Sequence, residues 1–328
     1  MIGRCSGELM NFKFSAAGAR WLAAAALMLV FSLPAVAFAE LKVVTTLADF
    51  GAMSRAILQD DGETTVLVRP SEDPHFVDPR PSFARYLNQA DMVVYAGMEL
   101  EIGWLPSLLT RSRNSAIQRG QPGHLDASEY VQAQDVPRGT IDRSMGDVHP
   151  GGNPHYNTDP RQMARVALAF GERLGQIRPA MADEFMERAR DFARDNIRFA
   201  QKWEQKFAEL SEESRQFISY HKTWSYVDNW LDLNHVAELE PKPGVPPNPR
   251  HIAHIIETME AHQVGVILQL EYYPTDTAEA IANRIDHDVQ IFSVQAMARE
   301  DQKYLEHLEE VIRPLYEAML QISESPSD

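Results

Sequence analysis

The chain has 328 residues with 47 acidic against 31 basic side chains, a formal net charge of −16. That balance excludes the cationic patches that hold nucleic acid or anionic membrane surfaces. Its one cysteine, Cys5, excludes a disulfide framework, so a bound metal must be held by imidazole, carboxylate, backbone or water. Residues 21–34 are almost wholly apolar, with Lys13 and Arg20 before them and Ala37-Phe38-Ala39 after. Basic flank, apolar run and small-residue exit predict a cleaved signal peptide over 1–39, with Met10 an alternative start. The run is shorter than the ~20 residues that span a bilayer. Cys5 precedes the run instead of following it, which argues against a lipid anchor. Roughly 290 residues remain, enough for one large domain or two modest lobes.

From Glu40 onward the pattern predicts a strand at 41–46, a helix at 50–58, a strand at 64–68, a helix at 81–89 and a buried strand at 92–95. Strands alternating with helices imply parallel pairing in an α/β sheet. Residues 107–146 are polar with scattered Gly and Pro and read as surface loops around one more helix. Residues 160–210 read as helical, and 180–210 contain no Gly or Pro. A helix of that length spans about 45 Å. It reads as a long surface helix or as a rigid strut between two lobes.

The α/β rhythm then resumes, with strands at 216–220, 235–239, 264–270 and 289–294 and helices at 224–230, from 250, at 275–285 and at 304–322. The proline-rich run 240–249 cannot be helix or central strand and reads as a stiff loop.

Three histidines share a local setting. His75 follows a strand end within Asp73-Pro74-His75, His155 precedes a helix within Asn153-Pro154-His155, and His221 follows Tyr220 at the end of a strand. Open α/β sheets bind ligands at the carboxyl ends of their strands, so the three could converge on a metal, for which neutral imidazole is a preferred donor. Against this, a lone loop histidine is most often solvated or capping. His124, His235, His251, His254, His262, His287 and His307 have no such setting, and His149, in a glycine-rich stretch, reads as a solvated loop residue in preference to an accessory ligand. Glu271 ends the apolar strand 264–270, where a carboxylate needs a partner or solvent. It reads as a metal ligand, as an acceptor that orients a ligating histidine, or as a plain loop carboxylate.

These pieces occur in a characteristic order: Val43-Val44-Thr45-Thr46, the loop from Pro70 to His75, Ala90 to Glu101, Pro154-His155 with Asp159-Pro160, Ser219-Tyr220-His221 with Tyr226, the loop after Glu238, and Leu270-Glu271. Over essentially the whole chain after residue 39, the sequence resembles the metal-specific periplasmic solute-binding proteins of ABC importers, the zinc and manganese receptor family. The resemblance implies two Rossmann-like α/β lobes, 40–179 and 211–328, joined by one long rigid helix at 180–210, with the metal in the cleft between them. It implies that His75 and His155 from the first lobe and His221 from the second hold the ion, with Glu271, read from its strand end, the candidate fourth ligand. The ion would be Zn2+ in preference to Mn2+, because imidazole and not carboxylate stands at the third position. It further implies a periplasmic monomer that is not an enzyme and that serves an ABC permease in the inner membrane, and it leaves room for a metallochaperone as loader.

Two departures stand out. The family's usual Asp after the last strand has no counterpart in 291–297, which leaves water, Glu271, Glu300 or Asp301 for the fourth position. The stretch 145–153 is also poor in histidine beside the His-rich loop of many zinc receptors. A three-histidine site with an open position also matches a catalytic zinc centre, so a secreted hydrolase is one alternative and a surface adhesin another.

Overall fold

The computed structural model describes residues 39–139 and 145–324. The predicted signal peptide, Ala39 apart, lies outside the described residues. None of the described helices is long and apolar enough to cross a membrane.

Two four-stranded, all-parallel sheets carry the fold. The first comprises β1 (Leu41–Thr45), β2 (Gly62–Val66), β3 (Met92–Tyr95) and β4 (His124–Asp126), in the order β2-β1-β3-β4. The second comprises β5 (Gln216–Ser219), β6 (Asn234–Glu238), β7 (Val266–Leu270) and β8 (Gln290–Val294), in the order β6-β5-β7-β8. Both sheets therefore reverse direction of travel beside their first strand, the switch point at which an open α/β sheet leaves a crevice. Helices cover the faces, so the central strands are apolar runs without alternation. In β7 all five residues are buried.

The helices are α1 (Ala48–Leu58), α2 (Pro81–Gln89), α3 (Leu105–Ser112), α4 (Pro160–Ile177), α5 (Ala182–Phe207), α6 (Ser225–Leu231), α7 (Pro249–His262), α8 (Asp276–Ala282) and α9 (Tyr304–Glu324). α2, α4 and α7 begin on proline, which has no N–H to leave unpaired in the first turn. Asp159 caps α4 by accepting from the Arg161 amide at 2.8 Å, and Asn248 caps α7 through the His251 amide at 3.1 Å. The three-residue edge strand β4 falls in the stretch that reads as surface loop, because it is too short to show a period.

The expected strut is α5, 26 residues long and about 39 Å from end to end. Phe185 and Ala189 lie in the core around the first sheet, and Ala200, Trp203 and Phe207 in a core around the second. A second tie was not expected. α9 starts in the first core with Tyr304 and Leu308 and continues into the second with Val311, Ile312, Leu315 and Met319.

Candidate metal site

His75 stands in the loop after β2. Asp73 Oδ1 accepts both the His75 amide, at 3.0 Å, and His75 Nδ1, at 2.7 Å. This local turn is the kind that Asx residues close on their own backbone two positions on. The Trp104 indole donates to the Pro74 carbonyl at 3.0 Å and pins the loop to the first core. His155 repeats the device: Asn153 Oδ1 accepts the His155 amide at 3.0 Å and His155 Nδ1 at 2.8 Å. In both loops the intervening proline fixes φ and removes a competing donor.

The Asn153 amide nitrogen also donates across to the Lys222 carbonyl, at 2.8 Å, and to Ser225 Oγ, at 3.2 Å, so it binds the loop of His155 to the turn that carries the third histidine. His221 comes two residues after β5. Its Nδ1 donates to Glu240 Oε2 at 2.7 Å, and the same oxygen accepts the Gly244 amide at 3.1 Å.

The structure brings His75, His155 and His221 together. Ring centroids are 5.3 Å apart for His75 and His155, 5.6 Å for His75 and His221, and 5.3 Å for His155 and His221. One ring nitrogen from each lies within 4.8 Å of the other two. None of the three residues is more than 8% exposed. Each Nδ1 faces an oxygen acceptor, which fixes the tautomer with the proton on Nδ1 and the lone pair on Nε2. Among the described residues, His155 Nε2 is buried and has no hydrogen-bond partner. A buried nitrogen lone pair left without a donor is costly, and a cation is the partner that its surroundings suit. Burial first, and then the neighbouring His221, His75 and His149, hold the His155 imidazole neutral well below its ordinary range. Burial acts to raise the Asp73 carboxyl, but the hydrogen bond and charge of His75 outweigh it, so the group lies below the usual carboxylate range.

His149 is not the solvated residue that the sequence suggests. Its Nε2 is 3.2 Å from His75 Nε2, and with Asp147 and His75 it forms a second, more exposed group of potential donors. Burial, followed by the charge of His75, pushes its imidazole down to about 4. The segment is held across the cleft by the Asp147 amide, which donates to the Pro243 carbonyl at 2.9 Å. Gly146 permits that approach, because its φ is +83° and a Cβ there would stand 2.4 Å from the Pro243 oxygen. A cleft of about 320 Å³ opens onto the histidines between this segment and the proline loop, with Asp147, His149, Lys222 and Glu240 in its walls.

Glu271 is not brought to the histidines, which corrects its reading as a ligand. Its amide extends the β7–β8 ladder by one residue, donating to the Val294 carbonyl at 2.9 Å. Side chains alternate along a strand, so Glu271 turns to solvent where Leu270 turns inward. It borders a surface depression with Gln295, Arg299 and Glu310. Glu300 and Asp301 are exposed as well. Beside His155, a small cavity of about 20 Å³ is lined instead by Tyr272, Ala296 and Met297. Nothing in the local sequence marks Glu240, since its place beside His221 depends on the pairing of β6 with β5.

The family model described as zinc-uptake complex component A, periplasmic (ZnuA), matches residues 43–318. The chain is 20% identical over 281 residues to a putative metal-binding protein of Treponema pallidum, covering 85% of this chain and 87% of that protein. It is 24% identical over 249 residues to the high-affinity zinc uptake system protein ZnuA of Yersinia pestis, covering 72% and 77%. A crystal structure of ZnuA superposes with a TM-score of 0.70 at 20% identity, covering 86% of this chain and 100% of that one.

Proposed function

The chain belongs to the ZnuA family of periplasmic zinc-uptake components, and we propose on that premise that it is an extracytoplasmic metal receptor. In this reading it captures a divalent transition metal, zinc in preference to manganese, and delivers it to the permease of an ABC importer in the inner membrane. The observation that carries the reading is the orientation of three buried imidazoles. Each has its Nδ1 committed to an oxygen, leaving three Nε2 lone pairs aimed at one another. An imidazole set suits zinc, whereas manganese favours carboxylate, carbonyl and water. His149, whose Nε2 lies 3.2 Å from His75 Nε2, is the candidate for the fourth position of a tetrahedral shell. The acceptors Asp73, Asn153 and Glu240 would keep the donors aligned and raise their basicity.

Because His221 follows the second sheet while His75 and His155 belong to the first, moving the lobes apart would remove one ligand and weaken the hold on the ion. Binding and release then need no bond chemistry, and the protein acts stoichiometrically. Competitive titration of metal-free protein tests this reading. One zinc per chain should bind at least about 100-fold more tightly than manganese, a difference of about 2.7 kcal/mol. Tighter binding of manganese, or no zinc binding, would overturn it.

A further inference from the structure

We propose that Ser219 and His235 are positioning residues for the ligand His221, forming a hydrogen-bonded relay that sets the metal affinity from outside the coordination shell; this rests on the receptor reading above. Ser219 is the last residue of β5 and fully buried. Its hydroxyl donates to the His221 carbonyl at 2.6 Å, which also accepts the Thr223 amide at 2.8 Å. A hydroxyl has one proton, so Ser219 Oγ must accept in its other contact, from His235 Nε2 at 2.9 Å.

His235, on β6, is itself held. Its ring stacks on Phe217 at 4.9 Å and 13°, and its Nδ1 faces Asp228 Oδ2 at 3.7 Å and Glu238 Oε1 at 3.9 Å. The chain of hydrogen bonds therefore runs from β6 through one serine to the backbone of the proposed metal ligand. Glu240 fixes the tilt of the His221 ring at Nδ1. The Ser219 bond fixes the carbonyl of the same residue, and so the point from which the ring is hung.

Ser219, His235 and Asp228 have the residue types of a hydrolytic triad, but Asp228 is 3.7 Å from His235 Nδ1, beyond hydrogen-bond reach, and they cannot act as one. The serine is buried at a strand end, and its proton is directed to a carbonyl and not to the imidazole. Positioning is what the geometry leaves for these residues to do.

The test compares Ser219→Ala, His235→Phe and His235→Gln with wild type and His221→Ala, by zinc competition with a chelator and by the visible absorption of the cobalt-loaded proteins. Ser219→Ala and His235→Phe should each lose about tenfold in zinc affinity, the low end of what losing an orienting partner costs. The double variant should lose no more than the larger single loss, because one relay is cut twice. The cobalt bands should shift in both single variants, a change that lowered fold stability alone would not produce. His235→Gln, whose amide can donate to Ser219 in place of Nε2, should recover most of the affinity. If Ser219→Ala binds zinc within about twofold of wild type with unchanged cobalt bands while His221→Ala has lost binding, the relay is wrong and the receptor site stands. If His221→Ala binds zinc as wild type does, the receptor site falls as well.

Discussion

The proposed metal site turns on which nitrogen of each imidazole is free. Asp73, Asn153 and Glu240 occupy the three Nδ1 positions, so on the proposed reading the affinity would depend on residues that never touch the ion. Replacing His75, His155 or His221 by Ala should cost ten- to a thousandfold in zinc affinity, roughly 1.4 to 4 kcal/mol. Glu271→Gln should cost nothing measurable. Glu240→Gln keeps an oxygen for His221 Nδ1 and should lose less than Glu240→Leu, which leaves that proton unpaired. Chelator competition on the six variants checks the ranking.

Another carboxylate provides a test independent of metal. Glu101 is buried, and burial raises its carboxyl to about 7 despite hydrogen bonds from Thr46 Oγ1 and the Ala96 and Gly97 amides. A carboxyl higher in the folded than in the unfolded protein stabilises below its unfolded value, and that contribution is lost as pH rises through the folded value. The stability of metal-free Glu101→Gln relative to wild type should therefore improve by about 2 kcal/mol between pH 5 and pH 8. Denaturant unfolding at the two pH values measures it, and a constant difference would contradict it.

At the scale of elements, the short segment over the cleft and the long helix behind it do opposite work. The segment from Met145 to Gly152 holds His149 beside His75 and is tied across the cleft by the hydrogen bond from the Asp147 amide to the Pro243 carbonyl, an approach that the missing side chain of Gly146 allows. Gly146→Val places a branched side chain at positive φ, which is strained whatever the space. It should weaken zinc binding about as much as His149→Ala does, with little change in thermal stability. A variant that binds zinc as wild type does would remove His149 from the site. α5 acts through packing and through side-chain hydrogen bonds to its neighbours. Trp203 is 1% exposed in the second core, and its indole donates to Glu309 Oε2 on α9 at 3.0 Å. Trp203→Ala should cost about 3–5 kcal/mol of unfolding free energy, visible in a denaturant titration.

Over the whole molecule, two sheets of identical strand order are tied by α5 and α9, and the histidines gather between them on loops from both. The junction is also buttressed behind His155. Asn157 donates to Asp49 Oδ2 at 2.7 Å and accepts from Tyr304 on α9 at 2.7 Å, while the Ala298 amide donates to Asp49 Oδ1 at 2.8 Å. On the proposed reading, an ion held by donors from both sides would add a further tie. Ligand that prefers the folded state stabilises it by about 4 kcal/mol at a thousandfold excess over Kd. Zinc should raise the melting temperature of the wild type and leave that of His221→Ala nearly unchanged. Equal shifts in differential scanning calorimetry would place the stabilising ion elsewhere.

What the sequence determined by itself is whatever depends on neighbours a few residues apart. The alternation of apolar strands and amphipathic helices dictates parallel sheets, and the unbroken run behind α5 dictates a long helix. The Asx-Pro-His triplets carry their own geometry, because Asp73 and Asn153 orient histidines only two positions away. The tertiary structure decided everything that depends on distant partners. Glu240 reaches His221 across 19 positions and His149 reaches His75 across 74, and no local pattern marks either. α9 enters both cores because the sheets lie close enough for one helix to span them. Glu271 misled for the same reason. A strand end shows where a side chain leaves the sheet, but the face it leaves from is set by pairing with β8, a long-range contact that alternation along one strand does not encode.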